Sequence, residues 1–133
     1  ADTGAQRIRF ADTVGCMQPL EVESRLRRLQ AECPIPLEFH GHNDFGLALA
    51  NHLAAENAGI HWHSGTVRGI GERAGNADLR GLQHWLGNNE RKNGLGHSPD
   101  HRPINETDLF AAEAIVAAAM QRATLAARLP FQP

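Results

Sequence analysis

A threefold alternation constrains this chain more than any other feature. Between residues 8 and 87 a short apolar run, a polar turn and an apolar helical period follow one another three times. Ile8-Arg9-Phe10-Ala11 predicts a strand that ends at Asp12-Thr13-Val14-Gly15. Pro19 opens a helix in which Val22, Leu26, Leu29 and Cys33 form one apolar face, and Pro34 and Pro36 stop it. Leu37-Glu38-Phe39-His40 predicts a second strand, running into Gly41-His42-Asn43-Asp44. Residues 45–58 predict an alanine-rich helix that Gly59 ends. Residues 60–67 predict a third strand, followed by the glycine-rich stretch 69–76 and a helix carrying Leu79, Leu82 and Leu86 that ends at Gly87. Strands that alternate with helices pair in parallel through right-handed crossovers.

A parallel sheet needs both faces covered. In a barrel the helices cover one face, and the other points into an interior that three strands cannot close. A (β/α)8 barrel takes about 250 residues, and this sequence has 133. The α/β pattern therefore predicts either an open three-layer sandwich or a piece of a barrel. Residues 88–105, rich in Asn, Gly, Pro, His and charge, predict a linker. Residues 106–129 predict a long alanine-rich helix within a 106–133 segment, with Asn105 or Thr107 as its cap.

Charge and composition exclude several classes. The net charge is −2, and the run Arg25-Leu26-Arg27-Arg28 follows Glu21 and Glu23. Acids early and bases late is ordinary helix-dipole chemistry, not a nucleic-acid footprint. No apolar run approaches membrane-spanning length, and the first residues show no basic-then-apolar signal. Cys16 and Cys33 lack metal-ligand spacing, so a reducing cytoplasm is expected. The first residue is Ala1, which reads as a processed chain or one cut from something longer.

Three stretches carry chemistry. His40 and His42 stand two apart at a strand end, so both imidazoles point the same way and can reach one metal ion. Ligands bind at the C-terminal strand ends in such folds. A second pair, His61 and His63, sits at the start of its strand, and surface or packing roles are expected there. Thr13 offers a hydroxyl and an N–H suited to a carboxylate oxygen, although Asp12 and Gly15 are also plain turn residues. The 69–76 stretch resembles a phosphate cradle but lacks the Lys-Ser/Thr of a P-loop. Its Asn76 brings an amide oxygen of the kind a hard divalent ion accepts. No Gly-x-Ser-x-Gly elbow is present, and no residue is marked as a catalytic base.

Phe10-Ala11-Asp12-Thr13-Val14-Gly15, Glu38-Phe39-His40-Gly41-His42-Asn43-Asp44-Phe45-Gly46 and Thr66-Val67-Arg68-Gly69-Ile70-Gly71-Glu72-Arg73-Ala74-Gly75-Asn76-Ala77 stand in order at three successive strand ends. Together, over about residues 4–87, they resemble the acyl-CoA-condensing metalloenzymes. That family includes homocitrate, 2-isopropylmalate and citramalate synthases, and within it the stretch from Arg9 to Gly15 followed by Met17 and Pro19 looks most like the nitrogen-fixation type of homocitrate synthase. The resemblance implies a partial TIM (β/α)8 barrel in which residues 1–87 supply the last three βα units. The linker and a helix that starts a C-terminal subdomain would follow. It implies that His40, His42 and Asn76 hold a divalent ion (magnesium, manganese or zinc), that Thr13 holds a 2-oxo acid, and that acetyl-CoA is the cosubstrate. The Gly-Glu-Arg-Ala-Gly-Asn form is that of the synthases; the related lyases carry a cysteine in this loop.

The family's Arg-Asp-Gly motif and its downstream catalytic His are absent between Ala1 and Pro133. The resemblance thus implies a segment of an acyltransferase, inactive without the missing strands. Those strands would come in cis or from a separate chain in a homo- or hetero-oligomer. Homocitrate formation from 2-oxoglutarate is the favoured reaction, with 2-isopropylmalate or citramalate formation as alternatives. A non-catalytic metal-binding or assembly module is the alternative from another class.

Overall fold

The computed structural model describes residues 4–93 and 104–127. Three strands and three helices alternate: β1 Ile8–Asp12, α1 Pro19–Glu32, β2 Leu37–Gly41, α2 Ala48–Asn57, β3 Trp62–Ser64 and α3 Leu79–Asn93, with a 3-10 turn at Val67–Gly69. The sheet order is β1-β2-β3 and both pairs are parallel. Spatial order follows chain order, as in consecutive units of a barrel wall. A further helix, α4 Glu106–Ala127, belongs to a separate compact unit. Of its two candidate caps Asn105 takes the role, its Oδ1 accepting from the N–H of Thr107 at 2.9 Å. Among the described residues no helix is long and apolar enough to cross a membrane.

The larger of two core clusters joins α1 and α2 to the sheet, and Leu82 of α3 is buried in a second one with Ala48 and Ala77. Val22 and Leu26 of α1, Leu37 and Phe39 of β2, and Ala54 and Ala55 of α2 are buried together with Met17 and Ile60. The apolar period of α1 thus faces β2, as the spacing predicts. Pairing places Phe10 opposite Phe39, and Phe39 opposite His63, on this helix-covered face. The other face carries Arg9, Glu38 and Trp62, then Ala11, His40 and Ser64. It is polar. Glu38 is buried under two arginines, Arg7 Nε at 2.8 Å and Arg9 Nε at 2.7 Å, and Arg7 lies over the Trp62 ring at 4.2 Å.

Several boundaries differ from the sequence expectation. The second helix begins at Ala48, not residue 45, because Asn43 Oδ1 caps the Ala48 N–H at 3.1 Å and residues 43–46 form a turn first. β3 keeps three residues of the expected eight. Beyond Ser64 the chain leaves the sheet to pair with the segment before α3, Thr66 N–H donating to Ala77 O at 3.0 Å. α3 continues through Gly87 to Asn93, so residues 88–93 are helical rather than linker. A single glycine costs a helix only about 1 kcal/mol. The rest of the expected linker, up to residue 103, and residues 128–133 of the expected last helix lie outside the described residues.

The core also encloses a histidine. His52 is fully buried, edge-on to the Phe39 ring at 4.8 Å, and its Nδ1 is 3.0 Å from Nδ1 of His63. His63 Nε2 in turn donates to Glu56 Oε2 at 2.9 Å. With that proton on Nε2, His63 accepts from His52, whose Nε2 keeps only a lone pair. His61, at the surface, pairs with the other Glu56 oxygen at 3.2 Å. The second histidine pair thus serves packing and surface. Burial acts to raise the Glu56 carboxyl, but the hydrogen bonds from His63 and His61 outweigh it and hold the group below its ordinary value.

Burial, then the neighbouring His63 and His40, push the His52 imidazole down from 6.5 to about 3. The unfolded chain therefore binds a proton below 6.5 that the folded chain refuses. Stability is full above that pH and falls as pH drops toward 3, by at most about 1.4 kcal/mol per pH unit from this group. Urea midpoints measured from pH 7 to pH 5 should decline, and the His52→Leu variant should show a shallower decline.

Candidate metal and substrate site

The C-terminal ends of the three strands lie side by side, and the loops after them carry the residues singled out by sequence. His40 closes β2. Its Nδ1 is 2.9 Å from Ser64 Oγ and 3.3 Å from Ser64 O. Only a donor satisfies that carbonyl, so the proton sits on Nδ1 and Nε2 is left as a lone pair, the form a metal ligand needs. The His42 ring stands edge-on to that of His40 at 5.3 Å, and its buried Nδ1 has no partner among the described residues. Gly41 between them sits where the packing is tight. A side chain there would meet the Phe39 ring at 3.2 Å and approach His52 Nε2.

Asn76 reaches this pair through an isolated antiparallel bridge to His42. Its Nδ2 donates to Ile70 O at 3.0 Å, which leaves Oδ1 buried and unpartnered. An unpaired buried polar atom costs about 1–3 kcal/mol. Two of them beside an imidazole with a free nitrogen form a donor set of two ring nitrogens and one amide oxygen, which suits a zinc or manganese ion and, less well, magnesium. Among the described residues no three His, Cys, Asp or Glu side chains are grouped to hold a metal. The set is thus partial and needs Asn76 and further oxygens. Geometry brings His40, His42 and Asn76 together.

Thr13 stands on the neighbouring loop, exposed, its hydroxyl without a hydrogen bond among the described residues. Asp12 before it is buried, and its carboxylate accepts from the N–H groups of Cys16 and Met17 at 3.2 and 3.0 Å. Asp12 O accepts from Gly15 N–H and His42 N–H, tying the first loop to the second. Asn43 N–H donates to Gly75 O at 2.9 Å, tying the second to the third.

Sequence reasoning passed over Asp12, Asp44 and Arg73. For Asp12 the Asp-x-x-Gly turn was a signal of a folded-back carboxylate. For the other two no local signal exists, because they meet across 29 positions. The Arg73 guanidinium holds the Asp44 carboxyl below the usual range, and Asp44 raises Arg73.

A cavity of about 340 Å³ lined by Gln30, Cys33, Leu37, Ile60 and Trp62 opens at the opposite end of the strands, away from these groups.

Residues 1–116 match the HMGL-like family model. Homocitrate synthase of Frankia sp. strain FaC1 is 54% identical over 89 residues, covering 64% of this chain and 22% of the relative. Homocitrate synthase subunit alpha of Clostridium pasteurianum is 48% identical over 76 residues, 57% of this chain and 28% of the relative. 2-Isopropylmalate synthase 2 of Caldanaerobacter subterraneus subsp. tengcongensis is 47% identical over 76 residues, 57% and 20%. The aligned part of the chain spans 20–28% of the length of these three relatives. Among solved structures, HMG-CoA lyase of Bacillus subtilis superposes with a TM-score of 0.74 at 25% identity over 89% of this chain and 39% of that one. The carboxyl transferase domain of Rhizobium etli pyruvate carboxylase superposes at 0.59 and 27% identity over 69% and 16%.

Proposed function

The chain belongs to the HMGL-like family, its parallel sheet being part of a TIM barrel, and from that premise we propose that it forms the last three strand-helix units of an acyl-CoA-condensing synthase. Residues 1–87 are the barrel wall in this reading, and α4 begins the segment after it. The reaction is the condensation of acetyl-CoA with a 2-oxo acid, 2-oxoglutarate giving homocitrate in first place. Support for that substrate is the 54% identity to a homocitrate synthase, against 49% to both a citramalate synthase and a 2-isopropylmalate synthase.

The observation that carries the reading is the buried, unpartnered pair His42 Nδ1 and Asn76 Oδ1 beside His40 at the strand ends. His40, His42 and Asn76 would hold a divalent ion, which would supply Lewis-acid polarisation of the keto carbonyl. The other steps fall to side chains. Ser64 keeps His40 in the ligating tautomer, and Phe39 and His52 support Gly41 from beneath. The Thr13 hydroxyl takes the carboxylate of the 2-oxo acid. A base removes a proton from the acetyl methyl group, the carbanion adds to the keto carbon, and hydrolysis of the thioester releases coenzyme A. That base comes from the strands or subdomain beyond this chain, which also supply the remaining ligands, in cis or from a partner subunit. A reducing, cytoplasmic setting belongs to the same reading, and the free thiols of Cys16 and Cys33 support it.

The isolated 133-residue chain should form no homocitrate from acetyl-CoA and 2-oxoglutarate, measured by chromatography of the products. Homocitrate formation by the pure chain would overturn the assignment of the missing groups.

A further inference from the structure

Three loops from three strands must hold one spacing if Thr13 is to work beside His40 and His42, and one side chain touches all three. Arg73 stands in the third loop. Its Nε donates to Asp44 Oδ1 at 2.8 Å and its NH2 to Asp44 Oδ2 at 3.0 Å, a two-pronged pair with the second loop. The same NH2 donates to Thr13 O at 2.7 Å, in the first loop. Arg73 does this from a left-handed backbone with φ 55°. That conformation is unfavourable for a residue with a Cβ and persists only where its surroundings over-determine it. The first two loops are also pressed together. A Cβ on Gly15, itself at φ +63°, would lie 2.6 Å from Asp44 Oδ2, so Asp44 fills the space that Gly15 leaves.

We propose that Arg73 is a positioning residue: by holding Asp44 and the Thr13 carbonyl at once, it fixes the Thr13 hydroxyl on the loop that Asp12 ties to His42. The inference rests on the reading of Thr13 as the seat of the 2-oxo acid carboxylate. Arg73 acts through Thr13, so it affects substrate binding rather than the bond-forming step.

The test uses the complete barrel and the variants Arg73→Ala, Arg73→Lys, Asp44→Ala and the Arg73→Ala/Asp44→Ala double. Arg73→Ala should raise KM for 2-oxoglutarate about tenfold or more, with kcat and KM for acetyl-CoA within about threefold. Arg73→Lys should recover part of the loss, and the double variant should be no worse than Arg73→Ala alone. Hydrogen exchange at the amides of Gly15 and Met17 should quicken in Arg73→Ala. An unchanged KM for 2-oxoglutarate together with unchanged exchange overturns the clamp, as does a fall in kcat with KM intact. If the wild-type barrel turns over no 2-oxo acid, the reading of Thr13 as a substrate seat fails, and the positioning role tied to it falls with it. Faster exchange in Arg73→Ala would then establish only that Arg73 holds the loops.

Discussion

Alanine at both His40 and His42 should weaken zinc binding by the complete barrel at least about a thousandfold. A protein zinc site is worth about 12 kcal/mol, so one of four ligands carries about 3 kcal/mol, or roughly a hundredfold in Kd. Each single variant should lose about that much. Asn76→Ala should lose less, about tenfold, because an amide oxygen is the weakest donor of the three. The sharpest control is His61→Ala. His61 belongs to the other His-x-His pair and is tied to Glu56 away from the strand ends, so its loss should leave zinc affinity within about twofold. Competition titration against a zinc chromophore reads all five variants. Equal losses from His40→Ala and His61→Ala would mean that zinc is bound by histidines in general.

Phe39→Ala should cost about 4 kcal/mol of stability, measured by urea unfolding. Its ring is fully buried between Phe10 at 6.3 Å and His52 at 4.8 Å, on the core shared with α1 and α2. Truncating such a ring costs about 3–5 kcal/mol, against a total of about 5–15 kcal/mol for a typical domain. The ring edge also lies under Gly41, so the loss should reach the histidine pair and weaken zinc binding as well. Phe110→Ala, on the exposed side of α4 with 70% of that residue accessible, should change stability by no more than about 0.5 kcal/mol. A Phe39→Ala effect as small as that of Phe110→Ala would show that the sheet is not packed as described.

The helices were legible because their apolar residues recur with a helical period, and the period of α1 points Val22 and Leu26 into the core. The direction shared by His40 and His42 was legible from strand geometry alone, since two residues apart means one face. Asn76 was legible as a possible oxygen ligand, but its approach to His42 depends on a bridge between distant segments. The Asp44–Arg73 pair was not legible. Nothing in local sequence announces an arginine in a left-handed conformation that reaches back across two loops. The burial of His52 was equally hidden, because α2 buries alanines and polar residues alike and so has no apolar stripe to read. β3 was overestimated for a related reason. Residues 60–67 have strand composition, but after Ser64 their hydrogen bonds go to the segment before α3.

The most direct test of the synthase reading is coenzyme A release by the complete barrel. Acetyl-CoA would be offered with 2-oxoglutarate, 2-oxoisovalerate or pyruvate, with and without zinc or manganese. The account predicts release that needs the divalent ion, is fastest with 2-oxoglutarate, and disappears in the His40→Ala/His42→Ala variant. An ion bound at His40 and His42 with no coenzyme A released from any of the three acids would contradict it, and would make this part of the barrel a metal-binding assembly module.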